Sequence, residues 1–156
     1  MAEGPGINGT MAKKKIARQG CLGVLILGLA CALLFYFNFH TVVVSGHSMD
    51  PTLHDRQRLL VSKAYWLVGP IRDKDIVVVT DPNPDGFIVK RVYKMGGETV
   101  DSYNVPRNYS FVDQGPYKVP DGQIYLLGDN RPVSDDSRSF GPVPMGRVLG
   151  KVIVLP

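Results

Sequence analysis

Three short segments of this 156-residue chain hold residue types that can do chemistry. The first is Ser45-Gly46-His47-Ser48-Met49-Asp50-Pro51-Thr52-Leu53, where an apolar run gives way to a turn. The second is Val89-Lys90-Arg91-Val92, two cations inside an apolar run. The third runs from Gly128-Asp129-Asn130-Arg131 through Ser134-Asp135-Asp136-Ser137-Arg138 to Gly141-Pro142-Val143. A serine before a turn is ordinary turn chemistry, but the same place can present a hydroxyl as a nucleophile. Lys90 is the less ordinary residue. In a strand it shares a face with Ile88 and Val92, while Arg91 shares the other face with Val89 and Tyr93. One of the two cations must therefore lie against apolar neighbours. An edge-strand lysine that deters aggregation explains it blandly. A desolvated lysine explains it more sharply, because burial lowers the amine pKa and a neutral amine can take a proton from a serine hydroxyl. In the third segment Asp129, Asp136, Arg131 and Arg138 can pair with one another or with Arg91. That segment is either a solvated loop or a polar knot that orients a site.

The elements that must position these groups read as β-structure. After His40 the apolar runs are short and β-branched: Thr41–Val44, Leu59–Val61, Ile76–Val79, Phe87–Tyr93, Ile124–Leu127 and Val148–Leu155. Turn residues separate them, at Asp81 to Gly86, Gly96-Gly97, Pro120-Asp121-Gly122 and Gly141-Pro142. No window there sustains a helical period. The expected fold is mostly β, a folded-over antiparallel sheet or small barrel. Tyr103–Tyr117 reads as a loop or loose hairpin. There is no internal repeat.

The first 39 residues differ. Residues 20–39, Gly20 to Phe39, carry no charge, and twenty helical residues span about 30 Å. The run ends in Phe35, Tyr36, Phe37 and Phe39, bulky where a cleaved signal peptide would have small residues. An uncleaved transmembrane helix is the expectation. Lys13, Lys14, Lys15 and Arg18 precede the run and the next cation is Arg56, so residues 1–19 form a cytoplasmic basic tail and residues 40–156 an extracytoplasmic domain. Residues 1–12 read as disordered. Cys21 and Cys31 both lie in the apolar run, about 15 Å apart along a helix, too far to bridge.

Net charge is +4, from 18 Lys and Arg against 14 Asp and Glu. Glu3, Lys13, Lys14, Lys15 and Arg18 account for +3 of it. The outer part, with 14 Lys and Arg against 13 Asp and Glu, is nearly balanced. A nucleic-acid partner would need a basic stripe on the fold itself, so that class is set aside.

Taken together, the three segments resemble type I signal peptidases, the membrane-bound serine proteases that remove signal peptides from exported proteins. Ser-Met-x-Pro-Thr, Lys-Arg-Val and Gly-Asp-Asn-Arg with Ser-x-Asp-Ser-Arg and Gly-Pro-Val follow in family order. Asp75-Ile76-Val77-Val78-Val79 resembles the remaining box, with Lys74 where a Gly usually precedes the Asp. The resemblance covers about residues 15–152. It implies Ser48 as nucleophile, Lys90 as general base, and Ser134 as the group that hydrogen-bonds the Lys90 amine. It implies Asp129, Arg91, Asp136 and Arg138 as supporting ion pairs, with no cofactor and no metal. The oxyanion would be held by the Ser48 N–H and one more donor. Some members supply a Ser two residues before the nucleophile, where this chain has Gly46, so a backbone group or water must substitute. Pro132-Val133 also stand where polar residues are commoner. The short stretch between Lys90 and Gly128 leaves no room for the accessory β-domain of large members.

The implied partners are preprotein signal peptides, with small residues at the first and third positions before the cut, and the lipid bilayer. The implied enzyme is a monomer in the bacterial cell membrane. Val42, Val44, Met49, Leu53, Ile88 and Val89 flank the pair and are the candidate pocket residues, each equally suited to core. Trp66, the only Trp, fits a core position or the membrane surface. Four alternatives stay open. A Ser-His-Asp hydrolase could use His40, His47 or His54, although the second Gly of Gly-x-Ser-x-Gly is absent. A self-cleaving Ser-Lys repressor-type protease would need an Ala-Gly or Cys-Gly bond that the chain lacks. An inactive anchored β-module, or a mitochondrial inner-membrane member of the same family, would share most of these features.

Overall fold

The computed structural model describes residues 8–80 and 86–153, with side chains from residue 22 onward. Two compact units result, Met1–Asn38 and Phe39–Pro156. The first contains one helix, α1 (Asn8–Asn38). It covers residues 8–12, which read as disordered from sequence; residues 1–7 of that stretch lie outside the described residues. It stops one residue short of the expected span, because Phe39 and His40 already pair in a strand. Among the described residues no helix is long and apolar enough to cross a membrane. The described side chains of α1 begin only at Leu22, and from there Leu22, Val24, Leu25, Ile26 and Leu27 are all exposed.

The second unit is the expected mostly-β fold. Seven of the nine strands among its described residues form one sheet: β1 (Phe39–Val43), β2 (Arg58–Ser62), β3 (Ile76–Thr80), β4 (Phe87–Met95), β7 (Gln123–Leu127), β8 (Val143–Pro144) and β9 (Val148–Ile153). Their order is β1-β2-β9-β3-β4-β7-β8, antiparallel throughout. The other two, β5 (Thr99–Val100) and β6 (Tyr117–Lys118), make a small separate pair. Most of the turn read over residues 81–86, and the end of the last strand, lie outside the described residues.

Central β3 explains its own sequence. Val77, Val78 and Val79 are all fully buried, as a strand covered on both faces requires. Val77 and Val79 pack with Val92, Ile124, Leu126 and Val143 on one face. Val78 and Ile76 pack on the other with Val44, Met49, Leu53, Leu59 and Val61. Burial of each such side chain contributes about 1.5–3 kcal/mol. Val42 of β1 and Val89 of β4 join that second cluster, although three strands separate β1 from β4 in the sheet. The sheet is therefore folded over, and its curl brings β1 and the loop after it against the start of β4.

Residues 103–117 form the expected loop, closed at its base by the β5–β6 pair and holding one turn of helix. Val100, Val119, Tyr125 and Leu127 form a third cluster, and Tyr109, Tyr117 and Tyr125 stack edge to face. Three one-turn helices also escaped the periodicity: α2 (Tyr65–Val68), α3 (Phe111–Gln114) and α4 (Ser137–Phe140). Four residues are too few to show a period of 3.6. Trp66 sits on α2 and is 78% exposed, so it is not a core residue. Lys74 adopts φ +70°, the left-handed region that favours glycine.

Candidate active site

Ser48 lies in the turn after β1, and that turn is pinned at several points. Inside it Met49 and Leu53 are buried, and Leu53 N–H donates to Met49 O at 3.0 Å. At its entrance Gly46 N–H donates to Asp55 Oδ1 at 2.8 Å. From the third sequence segment, Asn130 N–H donates to Ser48 O at 3.0 Å and Asn130 Nδ2 to His47 O at 3.1 Å. Sequence reasoning did not single out Asn130 as a positioning group. Its two bonds join segments 82 and 83 residues apart, and nothing in local pattern signals that.

Lys90 reaches this turn from β4. Its Nζ is 2.7 Å from Ser48 Oγ, and the residue is 4% exposed. Val77 lies opposite it on β3, and Ile88 and Val92 flank it on its own face. Burial among these groups pushes the amine below the usual lysine value. The Asp136 and Asp135 carboxylates pull it back only in part. Among the described residues Lys90 forms no ion pair.

The supporting charges sort into two forks. Arg91 grips Asp129 through Nε–Oδ1 at 2.8 Å and Nη2–Oδ2 at 2.6 Å. Its Nη1 donates to Lys74 O at 2.7 Å, which uses the carbonyl of the left-handed residue. Arg138 grips Asp136 through Nε–Oδ1 at 2.8 Å and Nη2–Oδ2 at 2.9 Å. Asp136 also caps α4, accepting from Arg138 N–H at 3.2 Å, and accepts from Gly128 N–H at 3.1 Å. Burial pushes the Asp129 and Asp136 carboxyls up, but the arginines and their other donors more than offset it, and both lie below the ordinary value. Arg131 pairs with neither carboxylate. It lies over the Tyr93 ring at 5.5 Å and donates to Asn104 Oδ1.

Ser134 departs from its expected role. Its Oγ is buried and, among the described residues, makes no well-formed hydrogen bond to Lys90 or to another group. It lies close enough to Asp136 to favour that carboxylate's charged form. Ser134 is nonetheless at the site, because Gly128 admits it. A Cβ on Gly128 would fall 2.1 Å from Ser134 Oγ and 2.6 Å from Ser48 O, so no side chain fits there. The neighbouring Ser137 is fully buried and accepts from Leu126 N–H at 2.9 Å, a structural role.

A groove of about 260 Å³ opens on the pair, lined by Val42, Val44, Met49, Ile88 and Val89 together with Val43, Ser45 and Phe87. Of the six candidate pocket residues only Leu53 is not part of it; at 0% exposure it serves the core. His47 and His54 both turn to Asp50, with Nδ1 at 2.9 and 3.2 Å from its two carboxylate oxygens. No hydrogen bond joins either ring to Ser48. Among the described residues no cluster of His, Cys, Asp and Glu is arranged to hold a metal ion.

The sequence model of the family described as "Signal peptidase, peptidase S26" matches residues 16–108 and 102–155. The chain belongs to the signal peptidase S26 family. Relatives agree with this membership. Signal peptidase I of Bacillus amyloliquefaciens is 34% identical over 151 residues, 81% of this chain and 78% of that protein. Signal peptidase I of Bacillus licheniformis is 34% identical over 162 residues, 88% of this chain and 87% of that protein. Signal peptidase I T of Bacillus subtilis is 31% identical over 81% of this chain and 78% of its own length. A crystal structure of a signal peptidase I from Enterococcus faecalis aligns with 28% identity and a TM-score of 0.41, covering 55% of this chain and 97% of that one.

Proposed function

We propose that this member of the family is a serine endopeptidase that removes signal peptides from exported preproteins, with Ser48 as nucleophile and Lys90 as general base. The observation that carries the reading is the 2.7 Å contact between a buried, unpaired Lys90 amine and Ser48 Oγ. A lysine held below its usual pKa spends more of its time neutral, and only the neutral amine can accept the Ser48 proton. Ser48 Oγ then attacks the scissile carbonyl carbon as its proton passes to Lys90 Nζ. The carbonyl π pair moves to oxygen. Collapse of that intermediate breaks the C–N bond, and Lys90 returns the proton to the departing amine. Water, deprotonated by Lys90, releases the acyl group from Ser48 by the reverse of the same steps.

The groove supports a substrate in extended form. Among the described residues β1 is the end strand of the sheet order, an edge to which an extended substrate can add as a further strand. A cavity of this size walled by Val42, Val44, Met49, Ile88 and Val89 favours small apolar side chains. Ser134, buried beside Gly128 and close to Ser48 O, is read as packing the site and not as a hydrogen-bond partner of Lys90. Arg91 with Asp129, and Arg138 with Asp136, hold the strand and loop that carry it.

The membrane reading rests on the uncharged run of residues 20–39 behind Lys13, Lys14, Lys15 and Arg18. With that run as anchor and its basic flank inside, residues 40–156 work on the outer face of a bacterial cell membrane, as a monomer. Exposed Trp66 and Leu67 are available to the lipid surface there. The test is the full chain in detergent with a preprotein whose signal ends in small residues. Wild type should cut it, and Ser48→Ala and Lys90→Ala should not. Equal cleavage by all three sinks the assignment.

A further inference from the structure

Acyl transfer through a tetrahedral oxyanion needs donors aimed at the developing charge, commonly two. The inference below rests on the Ser48 and Lys90 reading. One donor is at hand, since Ser48 N–H has no partner among the described residues. The second is absent from the obvious places. Gly46 has no side chain, and its N–H is held by Asp55 Oδ1. Val44 N–H is held by Gln57 O at 2.9 Å, and both donors of Asn130 that face this turn are held by the carbonyls of His47 and Ser48. The His47 ring is turned to Asp50.

The lining of the groove narrows the choice. Seven of its ten residues are apolar, and the three that carry polar side chains are Ser45, Ser48 and Lys90. Ser48 and Lys90 are occupied with one another at 2.7 Å. Ser45 is exposed, and no hydrogen bond of its hydroxyl is formed among the described residues. Gly46, at φ +91°, turns the chain between Ser45 and Ser48, so both line one groove instead of alternating as along a strand.

We propose that Ser45 Oγ is the second oxyanion donor, hydrogen-bonding the substrate carbonyl oxygen as Ser48 attacks. A free hydroxyl can turn its proton toward the oxygen as charge develops, which an engaged backbone N–H cannot do. No bond is made or broken at Ser45.

The experiment compares full-length Ser45→Ala, Ser45→Thr and Ser48→Ala in detergent on a fluorogenic peptide with alanines at the first and third positions before the cut. Affinity for a peptide aldehyde of the same sequence is read in parallel, since its adduct with Ser48 carries the same oxyanion. Ser45→Ala should lower kcat about 100-fold with KM nearly unchanged. It should weaken the aldehyde by a similar factor and leave Tm where it was. Ser45→Thr keeps the hydroxyl and should retain most activity. A Ser45→Ala kcat within about three-fold of wild type, or an equal loss in Ser45→Thr, overturns the proposal. Ser48→Ala separates the two readings. Cleavage surviving there overturns the Ser48 and Lys90 assignment and Ser45 with it. Cleavage lost there but retained in Ser45→Ala overturns the Ser45 role alone.

Discussion

Lys90 and Arg91 are neighbours on one strand, yet they are opposite in physical character. Lys90 faces Val77 and Val92, is 4% exposed and, among the described residues, forms no ion pair. Arg91 turns to the other side, meets the Asp129 carboxylate at 2.6 Å and is held in its charged form. The alternation of a strand thus makes a buried, desolvated amine and a carboxylate-bound clamp from adjacent cations. What separates them is the placement of carboxylates. Asp136, the acid that acts most on Lys90, is committed to Arg138. Were it free to pair with Lys90, the amine would be pinned protonated and could not serve as a base.

The largest effect should come from removing the exception. Lys90→Met should lower cleavage by about 10⁴-fold or more while raising Tm at neutral pH. The second half follows from linkage. The folded Lys90 pKa lies below its unfolded value of 10.5. Between the two the unfolded chain binds more protons, so the cost of burial is present below that window and relieved as pH rises through it. For the same reason wild-type kcat/KM should rise as pH passes through the folded Lys90 pKa. A profile flat well below neutral would break the contrast between the two cations.

Breaking the clamp that keeps Asp136 from Lys90 comes next. Asp136 is fully buried and Arg138 is 19% exposed at the side chain. Asp136→Ala should cost about 3 kcal/mol by denaturant titration, because Arg138 loses its partner and Gly128 N–H its acceptor. In the wild type that stabilisation is present above the unfolded carboxyl value of 3.8 and disappears as pH falls through the lower folded one. Asp129→Ala should cost less, about 1 kcal/mol, since the Arg91–Asp129 pair is 30% and 16% exposed and solvent screens it. Equal losses in the two variants would remove the distinction between a buried and a half-open fork.

Smaller still, Lys74→Gly should stabilise by about 0.5–1 kcal/mol by relieving the left-handed backbone behind Arg91, whereas Lys74→Ala should not. Last, His47→Ala and His54→Ala should each retain most cleavage. Their rings address Asp50 and stand outside the proton path, so complete loss in either would move the base away from Lys90.

Much of the site was legible because its residue types are unusual for their surroundings. A lysine inside Ile88-Val89-Lys90-Arg91-Val92 needs a reason, and period-two alternation already divided the two cations between faces. The strands were legible for a similar reason, as β-branched runs between turns. Other features left no local trace. Gly128 and Asn130 matter through contacts with Ser48, about eighty residues away. By sequence Trp66 fits a core position, because large apolar residues usually bury, but it lies exposed on a one-turn helix that has no buried residue. The hydrogen bond expected from Ser134 to Lys90 is not made. A rotatable hydroxyl in a crowded pocket can satisfy an acid or an amine, and spacing does not choose between them.

The chain's own order of residues determined the β-class of the outer unit, the uncharged run with its basic flank, and the residue types that can attack a carbonyl. These are local matters of side-chain chemistry and strand periodicity. Only the tertiary structure decided that Ser48 and Lys90 meet at 2.7 Å, which carboxylate each arginine takes, and that Leu53 serves the core while Ser45 faces the groove. Each of those depends on how far the sheet curls to bring β1 toward β4, and that curl is set by packing between strands that are distant in sequence.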